Sequence, residues 1–153
     1  MLQLSGEYIP PQDWVTTAEK ALQSRNAFSI GADRLFFTGG EPTCSLPWVE
    51  KVCSLTEYKI NFDTNGFITL DSLKRIIKIS DSLTYDIKTF TDKVHHLLTS
   101  ASIDPALRNT EYITEHGFDK LYEVRVLVHP GLVEEAAKIL TFATPYNCIY
   151  FIF

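Results

Sequence analysis

Segments with helical periodicity alternate along the chain with short apolar runs that end in glycine, asparagine or proline. Apolar runs of about four to eight residues between turn residues are typical of buried strands. The pattern predicts five strands, at about 34–38, 59–65, 83–90, 122–128 and 148–153. It predicts six helices, at about 10–24, 47–55, 69–79, 91–98, 104–117 and 131–142, with either Thr69 or Asp71 as the N-cap of the third. Strands that alternate with helices indicate βα units and a parallel sheet.

The predicted strands are apolar on one face and polar on the other, because successive side chains of a strand point in opposite directions. In the third strand Tyr85 and Ile87 share one face, whereas Asp86 and Lys88 share the other. A parallel sheet that helices cover on both sides is normally apolar on both faces. Since an unpaired buried charge costs several kcal/mol, we expect the polar face to border water, a ligand or a partner. The sequence therefore predicts an α/β fold, a curved, partial parallel (β/α) barrel with its helices outside.

Composition excludes several classes of function. The chain has 153 residues, of which 45% are hydrophobic, and a formal charge of −5 from 14 basic and 19 acidic residues. This acidic balance argues against a nucleic-acid-binding surface, and no apolar run approaches the roughly 20 residues that span a bilayer. Residues 1–11 lack the pattern of a signal peptide. We expect one cytoplasmic domain over residues 1–153, with no nucleic-acid or membrane partner.

The three cysteines, Cys44, Cys53 and Cys148, predict neither a disulfide framework nor a metal centre. Their number is odd, and their spacing matches no zinc or iron–sulfur motif. The simpler interpretation of each is a small, partly buried side chain.

Polar residues concentrate where the predicted strands end, at Gly39-Gly40-Glu41, Asp63-Thr64-Asn65, Asp86, Lys88 and His129. The carboxyl ends of the strands are where βα barrels hold their binding and catalytic groups. Paired glycines let the backbone approach a ligand closely, and a carboxylate accepts hydrogen bonds from an ammonium group. Their concentration at one rim favours a ligand site.

Each of these groups also has a simpler interpretation. The glycine-rich segments fit ordinary turns, and Asp86 with Lys88 fits a neutralising ion pair. Arg125 fits a pair with Glu123 or Glu111. His95 and His96 are expected on an exposed helix.

Four motifs in order resemble the radical S-adenosylmethionine (radical SAM) enzymes, and most closely the activases of glycyl radical enzymes, such as pyruvate formate-lyase activating enzyme. The motifs are FTGGEPT at 37–43, FDTNG at 62–66, YDIKTF at 85–90 and VRVLVHPG at 124–131. The resemblance covers nearly the whole chain. It implies a six-stranded partial (β/α) barrel, of which the chain carries about five strands. It also implies a 4Fe-4S cluster and SAM, whose reductive cleavage gives a 5′-deoxyadenosyl radical. In activases this radical takes a hydrogen atom from a glycine of a partner glycyl radical enzyme.

The resemblance assigns SAM-binding roles to residues at the predicted rim. Gly39, Gly40 and Glu41 would bind the methionyl amino group of SAM. Lys88 would contact the SAM carboxylate, and Asp86 would serve the ribose or the same polar network.

Three further positions take roles from the same resemblance. Asp63 and Thr64 resemble positions that bind a monovalent cation near the SAM carboxylate. Val128 resembles the strand that contacts SAM near its adenosyl end. The resemblance assigns no catalytic residue in this chain.

The chain departs from the family in the segment that binds the cluster. Family members carry a CxxxCxxC loop upstream of the Gly-Gly-Glu turn, whereas here no cysteine precedes Cys44. We therefore expect a chain that is truncated before the first strand, lacks the 4Fe-4S cluster and is inactive by itself as a radical enzyme. Without that strand, the strand at 34–38 would be an exposed edge and favour self-association.

Two alternatives to a radical SAM core remain. One is a non-catalytic module that binds a SAM-like nucleotide or a protein. The other is an unrelated βα-barrel enzyme that uses Glu41, Asp63, Asp86 and Lys88 as acid–base or metal-binding groups, which leaves the order of the motifs to coincidence.

Overall fold

In the computed structural model, which describes residues 8–27, 31–146 and 149–152, every predicted helix and strand is present. The helices are α1 (Pro11–Ala27), α2 (Leu46–Cys53), α3 (Leu70–Ile79), α4 (Asp92–Thr99), α5 (Asp104–His116) and α6 (Val133–Ala143). The strands are β1 (Arg34–Phe37), β2 (Lys59–Thr64), β3 (Ser82–Ile87), β4 (Leu121–Leu127) and β5 (Ile149–Ile152). The predicted first and last residues of the fifth strand, Cys148 and Phe153, lie outside the described residues.

The five strands form one sheet in the order β1-β2-β3-β4-β5, and every neighbouring pair is parallel. Each strand therefore lies beside the strand that precedes it along the chain, which is the arrangement of a (β/α) barrel wall. Among the described strands β1 and β5 form the two edges. Because all the strands run the same way, the loops after them meet along the edge formed by the carboxyl ends of the strands.

The apolar face of the sheet packs against the helices and forms the core. Phe62 of β2, Leu83 of β3 and Val126 of β4, which are three adjacent strands, are fully buried there. Trp14 of α1 stacks on Phe37 with 5.6 Å between ring centroids, and Phe37 stacks on Phe62 at 5.3 Å. Burial of such large side chains supplies most of the favourable free energy of folding, and here it holds α1 on the β1–β2 side of the sheet.

Two local predictions have different outcomes. Thr69 is confirmed as the N-cap of α3, since its hydroxyl accepts a hydrogen bond from the backbone N–H of Ser72 at 3.1 Å. The expectation that His95 is exposed is wrong, because the side chain turns inward and is 6% exposed. Its Nδ1 lies 2.9 Å from the carbonyl oxygen of Ala101, in the segment that follows α4. Within the described residues, no helix has the length and apolar character needed to cross a membrane.

We expect a Gly66→Ala variant to be less stable than a Gly39→Ala variant. Both glycines have positive φ angles, +73° and +83°, so alanine is strained at each by about 1–2 kcal/mol. At Gly66 the added methyl group would also overlap the hydroxyl of Tyr85, whereas at Gly39 it meets nothing within 4 Å. Urea unfolding should give an additional loss of about 1–3 kcal/mol for Gly66→Ala. Equal losses would contradict this reading.

Self-association through β1 stays a prediction, and the sheet order gives it a test. The side chain of Phe36 in β1 is 47% exposed, and that of Phe67, outside the sheet, is 48% exposed. We expect concentration-dependent association in sedimentation experiments, which Phe36→Lys abolishes because a charge disfavours pairing at an edge strand. The matched variant Phe67→Lys should associate as the native chain does. A native chain that is monomeric at all concentrations would contradict the prediction.

Candidate functional site

The parallel sheet brings the predicted site residues to one edge. Gly39, Gly40 and Glu41 follow β1, Asp63 and Thr64 end β2, Asp86 and Lys88 lie at the end of β3, and Val128 follows β4. The side chains divide between the two faces of the sheet, because neighbouring strand positions alternate.

The double-glycine turn after β1 has an open backbone. Gly39 and Gly40 have φ angles of +83° and +44°, which favour glycine over other residues. A methyl group added to either would meet no atom within 4 Å. The turn therefore leaves room for another molecule to approach the main chain.

The carboxylate of Glu41 ties this turn to the loop after β2. Its Oε1 accepts hydrogen bonds from the backbone N–H and the hydroxyl of Thr43, at 3.3 and 2.9 Å. Its Oε2 accepts from the hydroxyl of Thr64 at 3.0 Å and from the backbone N–H of Asn65 at 3.1 Å. Four donors thus surround Glu41, so it acts as a brace between two loops of the candidate site.

A charged bridge crosses the polar face of the sheet. Arg125 of β4 donates from Nη1 to Oδ2 of Asp63 in β2 at 2.5 Å, and from Nε to Glu123 at 2.7 Å. Thr38 also donates to Oδ2 of Asp63, at 2.8 Å. The hydrogen bond that Arg125 donates to Glu123 is the largest cause that raises the pKa of Arg125 above its ordinary value. The predicted pairing of Arg125 with Glu123 is confirmed, and its pairing with Asp63 was not foreseen.

Away from the rim, the polar side chains of this face form hydrogen bonds with one another. Asn61 and Thr84 are fully buried there, and the Asn61 amide donates to the Thr84 hydroxyl at 3.3 Å. Ser82 donates to the Asn61 carbonyl at 2.7 Å and accepts from Arg34 at 3.3 Å. The expectation that the polar face borders water or a ligand therefore applies to its rim.

At the rim, Lys88 forms an ion pair with Asp86, as its simpler interpretation predicted. The side chain of Lys88 is 39% exposed and that of Asp86 is 22% exposed. Lys88 thus presents a partly exposed ammonium group beside the polar face.

The residues that the resemblance would assign to a monovalent cation or to the 4Fe-4S cluster do not come together in one site. Asp63 lies on the polar face, whereas the hydroxyl of Thr64 points to the other face, is buried and donates to Glu41. Over the described ranges, no cluster of three or more His, Cys, Asp or Glu side chains could hold a metal ion. Cys44 is exposed, and burial raises the pKa of the Cys53 thiol to about 11. The described cysteines do not fit a 4Fe-4S cluster.

A cleft of about 490 Å³ lies on the helix side of the Glu41 turn. It is lined by Glu41 and Cys44, by Phe67 and Ser72 near the start of α3, and by Arg108 of α5, among others. Neither Asp86 nor Lys88 lines it. No local sequence motif indicates this cleft, because its walls come from three segments that are distant along the chain.

Comparisons with known proteins support both the fold and the family. The sequence model of the Radical SAM superfamily matches residues 5–143. A trans-4-hydroxy-L-proline dehydratase activating enzyme from Clostridioides difficile is 25% identical over 134 residues, which cover 77% of this chain and 44% of that protein. The chain thus spans less than half the length of this curated relative.

A solved structure matches as well. It is a domain of the pyruvate-formate lyase-activating enzyme from Bacteroides vulgatus, with a TM-score of 0.58 and 12% identity. The match covers 80% of this chain and 100% of that domain. At this identity the likeness concerns the fold, and it confirms the predicted α/β fold with a partial (β/α) barrel.

We expect Glu41→Gln to destabilise the protein by about 1–3 kcal/mol, because the amide places an N–H₂ group among four donors and loses the charge that they stabilise. Glu57→Gln, at an exposed position, is the matched control and should change the free energy of unfolding by less than about 0.5 kcal/mol. Urea unfolding checks both values. Similar changes in the two variants would contradict the role of Glu41 as a brace.

Proposed function

Since this chain belongs to the radical SAM superfamily, we propose that its rim binds S-adenosylmethionine and that it is the core of an activating protein for a glycyl radical enzyme. The observation that carries the proposal is the open double-glycine turn at the same sheet edge as the partly exposed ammonium of Lys88. SAM carries a carboxylate and an ammonium group on its methionyl end, which match a lysine and free backbone carbonyls.

Within this proposal the methionyl ammonium is bound by the backbone of Gly39 and Gly40. Glu41 already accepts four hydrogen bonds, so its role is to hold the turn in place. Lys88 takes the SAM carboxylate while Asp86 keeps the lysine oriented through their ion pair. Val128, in the loop after β4, contributes its backbone at the adenosyl end, because its side chain packs against the core.

The monovalent cation at Asp63 and Thr64 remains a proposal that the side chains by themselves do not favour. Arg125 already provides a positive charge at Asp63, and Thr64 points away. A cation here would therefore need backbone oxygens for most of its ligands.

In radical SAM enzymes the cluster supplies the electron that cleaves SAM. Cys44 and Cys53 do not supply its ligand set, so we propose SAM binding as the contribution of these residues and derive no cleavage step from them. A non-catalytic SAM-binding module is the second candidate, and the cysteine arrangement favours it. Both candidates predict that anaerobic reconstitution of this chain with iron and sulfide gives no stable thiolate-ligated cluster, so a stoichiometric cluster would contradict both.

The proposed partner is a glycyl radical enzyme, by analogy with the activating enzymes named in both comparisons. A cytoplasmic location is proposed with it, since that is where the chain would meet SAM and such a partner.

We expect SAM to bind the native chain at millimolar or lower concentration in calorimetry, and Lys88→Met to weaken binding about tenfold or more. The physical reason is the loss of a charge-assisted hydrogen bond to the SAM carboxylate. Lys93→Met is the matched control, since Lys93 is an exposed lysine of the neighbouring helix α4. No binding of SAM to the native chain, or equal affinities for the native chain and Lys88→Met, would overturn the proposal.

A further inference from the structure

Glu135 is a buried carboxylate that none of the roles above uses. It lies in the first turn of α6 and is 5% exposed. It accepts hydrogen bonds from the backbone N–H groups of Phe90 and Thr91, at 2.7 and 2.8 Å, and from the hydroxyl of Thr91 at 2.6 Å. A carboxylate with this set of donors is a specific anchor for the segment that follows β3.

Lys138 completes the anchor. Its Nζ donates to Oε1 of Glu135 and to the hydroxyl of Thr91, both at 2.6 Å. Burial by itself would raise the pKa of Glu135, but the hydrogen bonds from Lys138, Thr91 and the two backbone N–H groups outweigh burial and hold the pKa at about 2. The carboxylate is therefore ionised at neutral pH and available to all its donors.

The side chain of Thr91 does not make the hydrogen bond that its position at the start of α4 favours. It is the N-cap residue of α4, where a threonine hydroxyl usually accepts a hydrogen bond from the first turn of its own helix. Here the side chain makes no such bond and is directed to Glu135 and Lys138 instead. The orientation of the Thr91 side chain is therefore explained by its link to α6 and not by capping of α4.

The anchor joins the loop after β3 to the helix that follows the loop after β4, beyond the point where the two strands stop pairing. The pairing of β3 with β4 ends at Ile87 and Val126. Beyond that point lie Lys88 on one loop and Val128 on the other. Phe90 and Thr91 follow Lys88 closely, and Glu135 lies in the first turn of α6, the helix that follows the Val128 loop.

We propose that Glu135 is a positioning residue that fixes the Lys88 loop to α6 and so sets the spacing of Lys88 and Val128 before a ligand arrives. The ligand part of this inference rests on the proposed function, because Lys88 and Val128 are its SAM contacts. A loop ordered in advance loses less conformational entropy when the ligand binds, which raises affinity without a new contact.

The test compares Glu135→Gln with Glu134→Gln, its exposed neighbour in the same helical turn, in the full chain. Amide hydrogen exchange by NMR should accelerate about tenfold or more at Phe90 and Thr91 in Glu135→Gln, since the amide replaces a charged acceptor. Exchange in β2 should change little, and Glu134→Gln should match the native chain. Unchanged exchange at Phe90 and Thr91, or equal acceleration in β2, would overturn the anchor.

A titration with SAM decides the ligand part separately. Glu135→Gln should weaken SAM binding several-fold although it touches no SAM contact, and Glu134→Gln should not. Equal affinities would overturn the positioning role. If the native chain binds no SAM, the proposed function and the ligand part fail together, while hydrogen exchange still decides the anchor.

A milder variant keeps the test valid if Glu135→Gln does not fold. Lys138→Met removes the ammonium group shared by Glu135 and Thr91 but leaves both backbone N–H bonds to the carboxylate. We expect a smaller acceleration of exchange that is again confined to the segment after β3. Native exchange rates in Lys138→Met would contradict the contribution of Lys138 to the anchor. Acceleration that also spreads over β2 would contradict the proposal that the anchor acts on the segment after β3.

Discussion

Arg125 reaches over β3 to Asp63, and the polar face of the sheet depends on this contact. An arginine on one face of a parallel sheet would be costly if it were buried without a partner. The two carboxylates of Asp63 and Glu123 compensate its charge, and Thr84, which lies between these two residues in the sheet, is fully buried. The sheet can therefore be apolar toward its helices and polar on its other face without a bound ligand.

This arrangement separates structural polar groups from those that remain available. Asn61, Ser82 and Thr84 satisfy one another in the middle of the face, and Glu41 is occupied as a brace between two loops. At the carboxyl edge the backbone of the double-glycine turn is open, and the ammonium of Lys88 is partly exposed beside Asp86. Because the first is an acceptor and the second a cation, together they suit a zwitterionic ligand.

Local sequence signals predicted the elements and the edge where the site lies, because strands, helices and turns depend on neighbouring residues. Thr69 and the glycine turns are examples, and so are the two faces of β3. The structural roles of Glu41 and Asp63 were predicted incompletely, and that of Glu135 was missed. Each depends on a hydrogen bond to a residue between 23 and 62 positions away along the chain, which local sequence patterns do not reveal. His95 was misassigned for a related reason, since its contact forms only where the chain turns after α4. The opposite orientation of Asp63 and Thr64 follows from strand alternation alone, because neighbouring residues of β2 point to opposite faces of the sheet.

We propose that SAM binds at the polar rim of the sheet. The most direct measurement is a map of backbone amide shifts in a nitrogen-15-labelled sample as SAM is added. If SAM binds at the rim, the shifts should be concentrated at Gly39, Gly40, Lys88 and Val128. Shifts confined to the cleft on the helix side, at Phe67 and Arg108, or the absence of shifts at millimolar SAM, would contradict it.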